Sequence, residues 1–409
     1  MANSLIQASG GAAISGSPRY HSLAGDMNNA TTETNVQVMM RSPGVASKMF
    51  VQVTINTSST ITVTSRKNAA AGAQTVTVTN STIGIFEDTT HTDTISAGEK
   101  WNYNTTVGGI VTLTINIIQM TFAATTNTVT KLVAANAGGF AYSVSTTSFT
   151  PLQCSWTQQG GTEANMKTRV EKAGTFKNIY VNIITPTATT TQTAILRDNG
   201  ADSAIVATTT ANTSGFFEDT THTLAVTVGH DYNYSFTVGT VSASLVVGGI
   251  GIEFESTDGT SLISAGAQGL AAFLKTTTNY NAVGGKLVVG TTTESFAQSY
   301  VRDATFTISN LGVFIAANGS TLTNSVTLRK NAVDTTLLVS FTTATGLLED
   351  TTHIITGLVA SDKLSTKIIN GETAGGTHNI TLAWVQMHVS LAVVIPLYLQ
   401  PIFMEWIES

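Results

Sequence analysis

Glu87-Asp88-Thr89-Thr90-His91 recurs as Glu218-Asp219-Thr220-Thr221-His222 and once more as Glu349-Asp350-Thr351-Thr352-His353. Both steps are 131 residues. Chance does not place the same pentapeptide at equal intervals, even in a Thr-rich chain, and a fixed period marks repeated structural units. The period is the size of a domain with its own core.

The flanks repeat as well. Upstream, Arg66-Lys67-Asn68, Arg197-Asp198-Asn199 and Arg329-Lys330-Asn331 each close a short alternating run such as Ile61-Thr62-Val63-Thr64. Downstream, Gly98-Glu99-Lys100-Trp101-Asn102-Tyr103 matches Gly229-His230-Asp231-Tyr232-Asn233-Tyr234. The third copy departs to Ser361-Asp362-Lys363-Leu364-Ser365-Thr366. The copies begin alike, at Ser4-Leu5-Ile6, Lys131-Leu132-Val133 and Ser261-Leu262-Ile263. The expected domains are therefore 1–128, 129–258 and 259–390, followed by a C-terminal arm, 391–409.

Within a copy the pattern has period two, the mark of strands with one buried face. Copy one reads as strands near 19–24, 33–41, 47–56, 60–66, 74–79, 85–95, 100–106 and 110–122, separated by turn residues such as Ser42-Pro43-Gly44. No amphipathic helix stands out. Seven or eight short strands in such a length predict an all-β chain of three tandem antiparallel β-sandwich, jelly-roll-like domains. The Gly10-Gly11 and Gly138-Gly139 pairs near the copy starts read as flexible connectors.

Composition agrees. Hydrophobic residues make up 42% of the chain and charged residues only 11%, against roughly 25% in ordinary soluble domains. Thr, Ser, Asn, Ala and Gly take the place of charge, and β-branched Thr favours strands. Sparse surface charge suits a protein covered by neighbours in an assembly. The net charge of −6, without a basic run, speaks against nucleic acid. One cysteine, Cys154, excludes an intrachain disulfide framework and any multi-cysteine metal site. The first residues lack a basic and an apolar region, so no secretory signal is expected. The apolar stretch 389–403 contains Pro396, Gln400 and Pro401. It is short of the ~20 residues that span a bilayer, so no membrane is expected and an extended arm is preferred.

A strand ending in Arg-Lys-Asn or Arg-Asp-Asn-Gly, a short hairpin partner, a Phe-Glu-Asp-Thr-Thr turn and an Ala-Gly-led aromatic strand resemble a recurring phage-protein domain. The pattern is similar to jelly-roll modules, related in shape to C1q and tumour-necrosis-factor domains, of phage fibres and head decorations. The resemblance covers all three copies. It implies a place in a virion and a tendency to trimerise, and it carries over no catalytic residue.

The pentapeptide admits three readings. As a turn, Asp88, Asp219 and Asp350 accept backbone N–H bonds from the residues that follow, and His91, His222 and His353 begin the next strand. As a metal site, the three His would meet around one ion across a threefold axis, with the Asp residues near. As a receptor contact, the exposed tips would touch a partner. The turn is preferred. The recurring Arg66, Arg197 and Arg329 are expected to pair with Glu87, Glu218 and Glu349 inside each sandwich. The alternating Trp101, Tyr103, Tyr232 and Tyr234 read as core, with a sugar-stacking platform as the functional alternative.

No phosphate-binding loop, paired-His zinc helix or nucleophile elbow occurs, so neither enzyme activity nor a cofactor is expected. The expected function is a non-enzymatic structural component of a viral, phage-type particle, made in the host cytoplasm: a capsid, decoration or tail-associated protein. Its partners would be other virion proteins or copies of itself. The alternative is a fibre or adhesin module that binds host glycans. Whether the copies close into a pseudo-trimer or string out stays open in the sequence.

Overall fold

The computed structural model describes residues 3–27, 29–57, 60–109, 112–125, 129–142, 145–155, 162–240, 244–259, 261–274, 276–301, 306–373 and 378–391. Among the described residues copy one supplies ten strands. They are β1 (Asn3–Ile14), β2 (Arg19–His21), β3 (Gly25–Asp26), β4 (Val38–Met39) and β5 (Gly44–Asn56). The rest are β6 (Ile61–Lys67), β7 (Ala70–Val78), β8 (Gly84–Ile95), β9 (Lys100–Val107) and β10 (Leu113–Ala124).

Copy two repeats the series. It has β11 (Val129–Tyr142), β12 (Thr146–Thr150), β13 (Cys154–Ser155), β14 (Thr168–Val170) and β15 (Gly174–Thr185). There follow β16 (Thr193–Asp198), β17 (Ala201–Thr208), β18 (Gly215–Ala225), β19 (His230–Val238) and β20 (Leu245–Ser256). Copy three has β21 (Ser261–Phe273), β22 (Thr278–Asn281), β23 (Gly285–Leu287), β24 (Ser299–Tyr300) and β25 (Phe306–Asn318). It ends with β26 (Asn324–Lys330), β27 (Val333–Phe341), β28 (Gly346–Leu358), β29 (Lys363–Ile369) and β30 (Ile380–Leu391).

The strands of each copy form two five-stranded sheets. The first runs β3-β1-β10-β5-β8 and the second β2-β9-β6-β7, with β4 also on β9; the other copies follow the same order. The chain passes back and forth between the sheets, a jelly-roll path, and pairing is antiparallel apart from β1 with β3 and its two equivalents. The described residues hold no α-helix, only single 3-10 turns at Glu33–Asn35, Glu163–Asn165 and Glu294–Phe296. The expected strand over 33–41 is thus a 3-10 turn followed by the two-residue β4.

Strand β1 is not among the strands expected of copy one, because its Ala/Gly-rich residues have little period-two contrast. Gly10-Gly11 and Gly138-Gly139 are not connectors. They lie inside β1 and β11, where the pairing slips: after Ser9↔Ile117 the next partners are Ala12↔Ile115. Gly10, Gly11 and Gly139 take φ of 112°, 73° and 73° there, which side chains rarely tolerate.

Trp101, Tyr103, Tyr232 and Tyr234 are fully buried. They are core, and no sugar could stack on them. Copy three replaces them with buried Leu364 and Thr366.

The three copies close on one another. Strands β3, β13 and β23 touch each other, so they surround a common axis. Each also lies against the first strand of a neighbouring copy: β3 on β11, β13 on β21 and β23 on β1. The arrangement is a ring with pseudo-threefold symmetry built from one chain. Strand β30 ends at Leu391, so the first residue of the expected C-terminal arm, 391–409, belongs to a strand, and the rest of the arm lies outside the described residues. No helix among the described residues is long and apolar enough to cross a membrane.

Candidate functional site

The pentapeptide lies inside the edge strands β8, β18 and β28, not between elements. It forms a bulge. Met49 pairs with Asp88 and Ser47 with Thr92, so Lys48 alone faces residues 89–91. Asn178 faces 220–222 and Asn310 faces 351–353 in the same way. The facing residue turns left-handed each time, with φ of 57° at Lys48, 58° at Asn178 and 53° at Asn310.

The aspartate fills the bulge. Asp88 Oδ1 accepts from the backbone N–H of Thr90 at 3.1 Å and of His91 at 3.0 Å, and from the Thr90 hydroxyl. Its Oδ2 accepts from the Thr75 N–H at 2.9 Å, on β7 of the opposite sheet. Asp219 reaches Val206 N–H on β17, and Asp350 reaches Leu338 N–H on β27. One carboxylate thus ties the bulge and bolts the two sheets together. These hydrogen bonds hold the carboxyls of Asp88 and Asp219 below the usual range against the opposing effect of burial, and that of Asp350 down to about 2.

The histidines complete the bulge from outside. His91 Nδ1 lies 2.9 Å from Asp88 Oδ2, and His222 and His353 repeat the contact at 2.8 and 2.9 Å. Thr90 Oγ1 approaches the same Nδ1 at 3.2 Å. A catalytic relay needs acid and nucleophile on opposite ring nitrogens; here both crowd one nitrogen, so the trio makes no nucleophile. A shared metal fails too. The His sit on the edge strands at the far side of each sheet from the axis strands, and no group of three His, Cys, Asp or Glu among the described residues could hold an ion.

The recurring arginines do not pair with Glu87, Glu218 and Glu349. Arg66 Nε lies 2.6 Å from Glu33, Arg197 Nε 2.6 Å from Glu163 and Arg329 Nε 2.8 Å from Glu294. Each guanidinium also covers a ring, Tyr20, Phe149 or Tyr280 respectively. The 3-10 turn is thereby pinned to the β6–β7 hairpin and its equivalents. The Glu33, Glu163 and Glu294 repeat was legible in the sequence at spacings of 130 and 131 residues, and was missed because its neighbours differ. The hairpin turns are tight, with Asn68, Asn199 and Asn331 at φ of 49°, 48° and 52°.

Two of the pentapeptide glutamates face the neighbouring copy instead. Glu218 pairs with Arg41 of copy one, and Glu349 lies 3.9 Å from Arg169 of copy two. Burial pushes the Glu349 carboxyl up. The docking bonds to the main chain occupy one equivalent position in each of the three interfaces. Gln119 donates to Tyr300 O at 2.7 Å and accepts from Tyr300 N at 3.1 Å, while Phe50 stacks on the Tyr300 ring with centroids 4.8 Å apart. In the equivalent place Gln386 donates to Arg169 O at 2.8 Å. Between copies two and one the same position is Gly251, which leaves room for Tyr180 to bond to the Met39 main chain. A Cβ on Gly251 would come within 2.4 Å of the Tyr180 ring.

At the axis the register aligns Asp26, Ser155 and Lys286. Lys286 Nζ lies 3.1 Å from the fully buried Asp26, and Ser9 Oγ donates to Gly284 O at 2.9 Å. Three identical subunits could not carry Asp, Ser and Lys at one equivalent register position. A fused chain can.

No protein-family model matches the chain, and no curated protein is similar to it in sequence.

Proposed function

We propose that the chain is a non-enzymatic structural component of a virus particle of phage type: a capsid, decoration or tail-associated protein that acts as a ready-made trimer. The observation that carries this reading is the closed ring. Fusing three sandwiches fixes their ratio and makes their association intramolecular, so the unit forms at any concentration. The repeated pentapeptide stabilises the bulge and the ring contact rather than reacting with anything, which favours a scaffold. The low charge and the resemblance to trimerising phage modules point the same way.

The test is electron microscopy of particles that contain this protein. The reading expects the ring at regular positions on the shell or tail, its pseudo-threefold axis aligned with a local axis of the particle. A chain absent from purified particles, or one that turns over a substrate, would overturn it.

A further inference from the structure

Two clefts occupy equivalent positions in two of the three interfaces. One, of about 160 Å³, lies between copies one and two and is lined by Gln37, Lys100, Asn182, Ile183, Gly215 and Phe216. The other, of about 230 Å³, lies between copies three and one and is lined by Gln298, Lys363, Gln52, Val53, Gly84 and Ile85. Strand registers align these residues one for one: Asn182 and Phe216 form a pair, as do Gln52 and Ile85. The site is therefore built twice.

Its chemistry is specific. Neither Lys100 nor Lys363 has a carboxylate within ion-pair distance among the described residues; the first covers the Phe216 ring at 5.0 Å and the second the Tyr300 ring at 5.4 Å. No acidic side chain lines either cleft. The amides of Asn182 and Gln52 are nearly fully buried and anchored to the neighbouring copy, on Thr34 O and Ser295 O. Gln52 Oε1 has no hydrogen-bond partner among the described residues, which is costly for a buried acceptor. Apolar walls, Ile183 and Phe216 in one cleft and Val53 and Ile85 in the other, complete a small amphipathic site. An ammonium without a carboxylate partner, amide groups and an apolar wall match a carboxylate, hydroxyls and the C–H face of a sugar ring.

The third interface lacks each part. Its equivalent residues are Asp231 for the lysine, Lys167 for the glutamine and Phe314 for the buried amide. Asp231 is held by Arg169 at 2.7 Å.

We propose that the chain binds a small carboxylated saccharide in these two interface clefts, with two sites per chain. This holds whether or not the ring belongs to a particle. Titration of the full chain with glucuronate, followed by ligand-observed NMR and calorimetry, tests it. Two equivalents of glucuronate should bind, with glucose and acetate each weaker by about tenfold or more. Lys100→Gln should remove one site, Lys363→Gln the other, and the double variant both, with unchanged melting temperatures. A crystal of the unaltered chain soaked in glucuronate should show the sugar in two clefts and not in the third interface. No saturable binding, binding unchanged in the double variant, or acetate or glucose binding as well as glucuronate would each overturn the proposal.

Discussion

Asp88, Asp219 and Asp350 do the same thing three times, whereas Gln119, Gly251 and Gln386 share one equivalent position and dock the neighbour in two different ways. The first set works inside a copy: it closes a bulge and bolts sheet to sheet, and each copy needs the identical part. The second set works between copies, where Gln119 and Gln386 reach the neighbouring main chain and Gly251 makes way for Tyr180. The axis position, with Asp26, Ser155 and Lys286, has diverged furthest. Covalent linkage is what permits this. Each interface is formed by its own pair of surfaces, so each can adopt its own solution, whereas the fold inside a copy has only one.

The clamp should carry the largest single effects. Asp219→Ala strands several buried donors, each costing about 1–3 kcal/mol, so a loss of roughly 3–5 kcal/mol is expected in urea unfolding. Asp88→Ala and Asp350→Ala should match it to within about 1 kcal/mol if the three copies are alike in this respect. The pH dependence has a definite sign. Hydrogen bonds hold the Asp350 carboxyl in the folded state down to about 2, below the ordinary carboxylate range, against the opposing effect of burial. Its stabilisation is therefore full above that ordinary range and fades as the pH falls towards about 2. The stability gap between the native chain and Asp350→Asn should narrow over that window and stay level at neutral pH.

At the axis, Lys286→Met removes the ammonium 3.1 Å from the buried Asp26 carboxylate and should cost about 3 kcal/mol. Asp26→Asn together with Lys286→Met should recover most of that, as measured by a double-mutant cycle. At the divergent docking position, Gly251→Gln forces a side chain into the Tyr180 ring and should cost about 1–3 kcal/mol. Combining it with Tyr180→Gly recreates the Gly312–Gln386 arrangement, so the double variant should be more stable than the sum of the singles by at least about 1 kcal/mol. Additive losses would mean the two docking solutions are not interchangeable.

The smallest effect concerns the hairpins. Copy two places Gly200 where copies one and three place Ala69 and Ala332, at φ of 65° and 63°. Ala69→Gly and Ala332→Gly should each raise stability by up to about 1 kcal/mol, and Gly200→Ala should lower it by a similar amount, read as shifts in melting temperature.

The fold class was legible because a triplicated motif and period-two alternation are local signals. Strand β1 was not, because Ala8, Gly10 and Ala12 carry no alternation, and its pairing with β10 spans most of a copy. The aspartate's role was half legible. Bonds from Asp88 to Thr90 and His91 are local and follow from the residue types, but the bond to Thr75 crosses sheets and needs the fold. The partners of Arg66 and Glu218 were misread for the same reason: recurrence at one period says that two residues are equivalent in every copy, not that they meet. Glu218 meets Arg41 across the ring, and nothing in the linear sequence separates a contact within a copy from one between copies.

Ring closure is decided most directly by small-angle X-ray scattering from the monomeric chain in solution. A closed three-copy ring of this length has a radius of gyration of about 22 Å, as for one compact body. Three sandwiches strung end to end would give about 30 Å or more on the same scaling, and that value would contradict the closed ring.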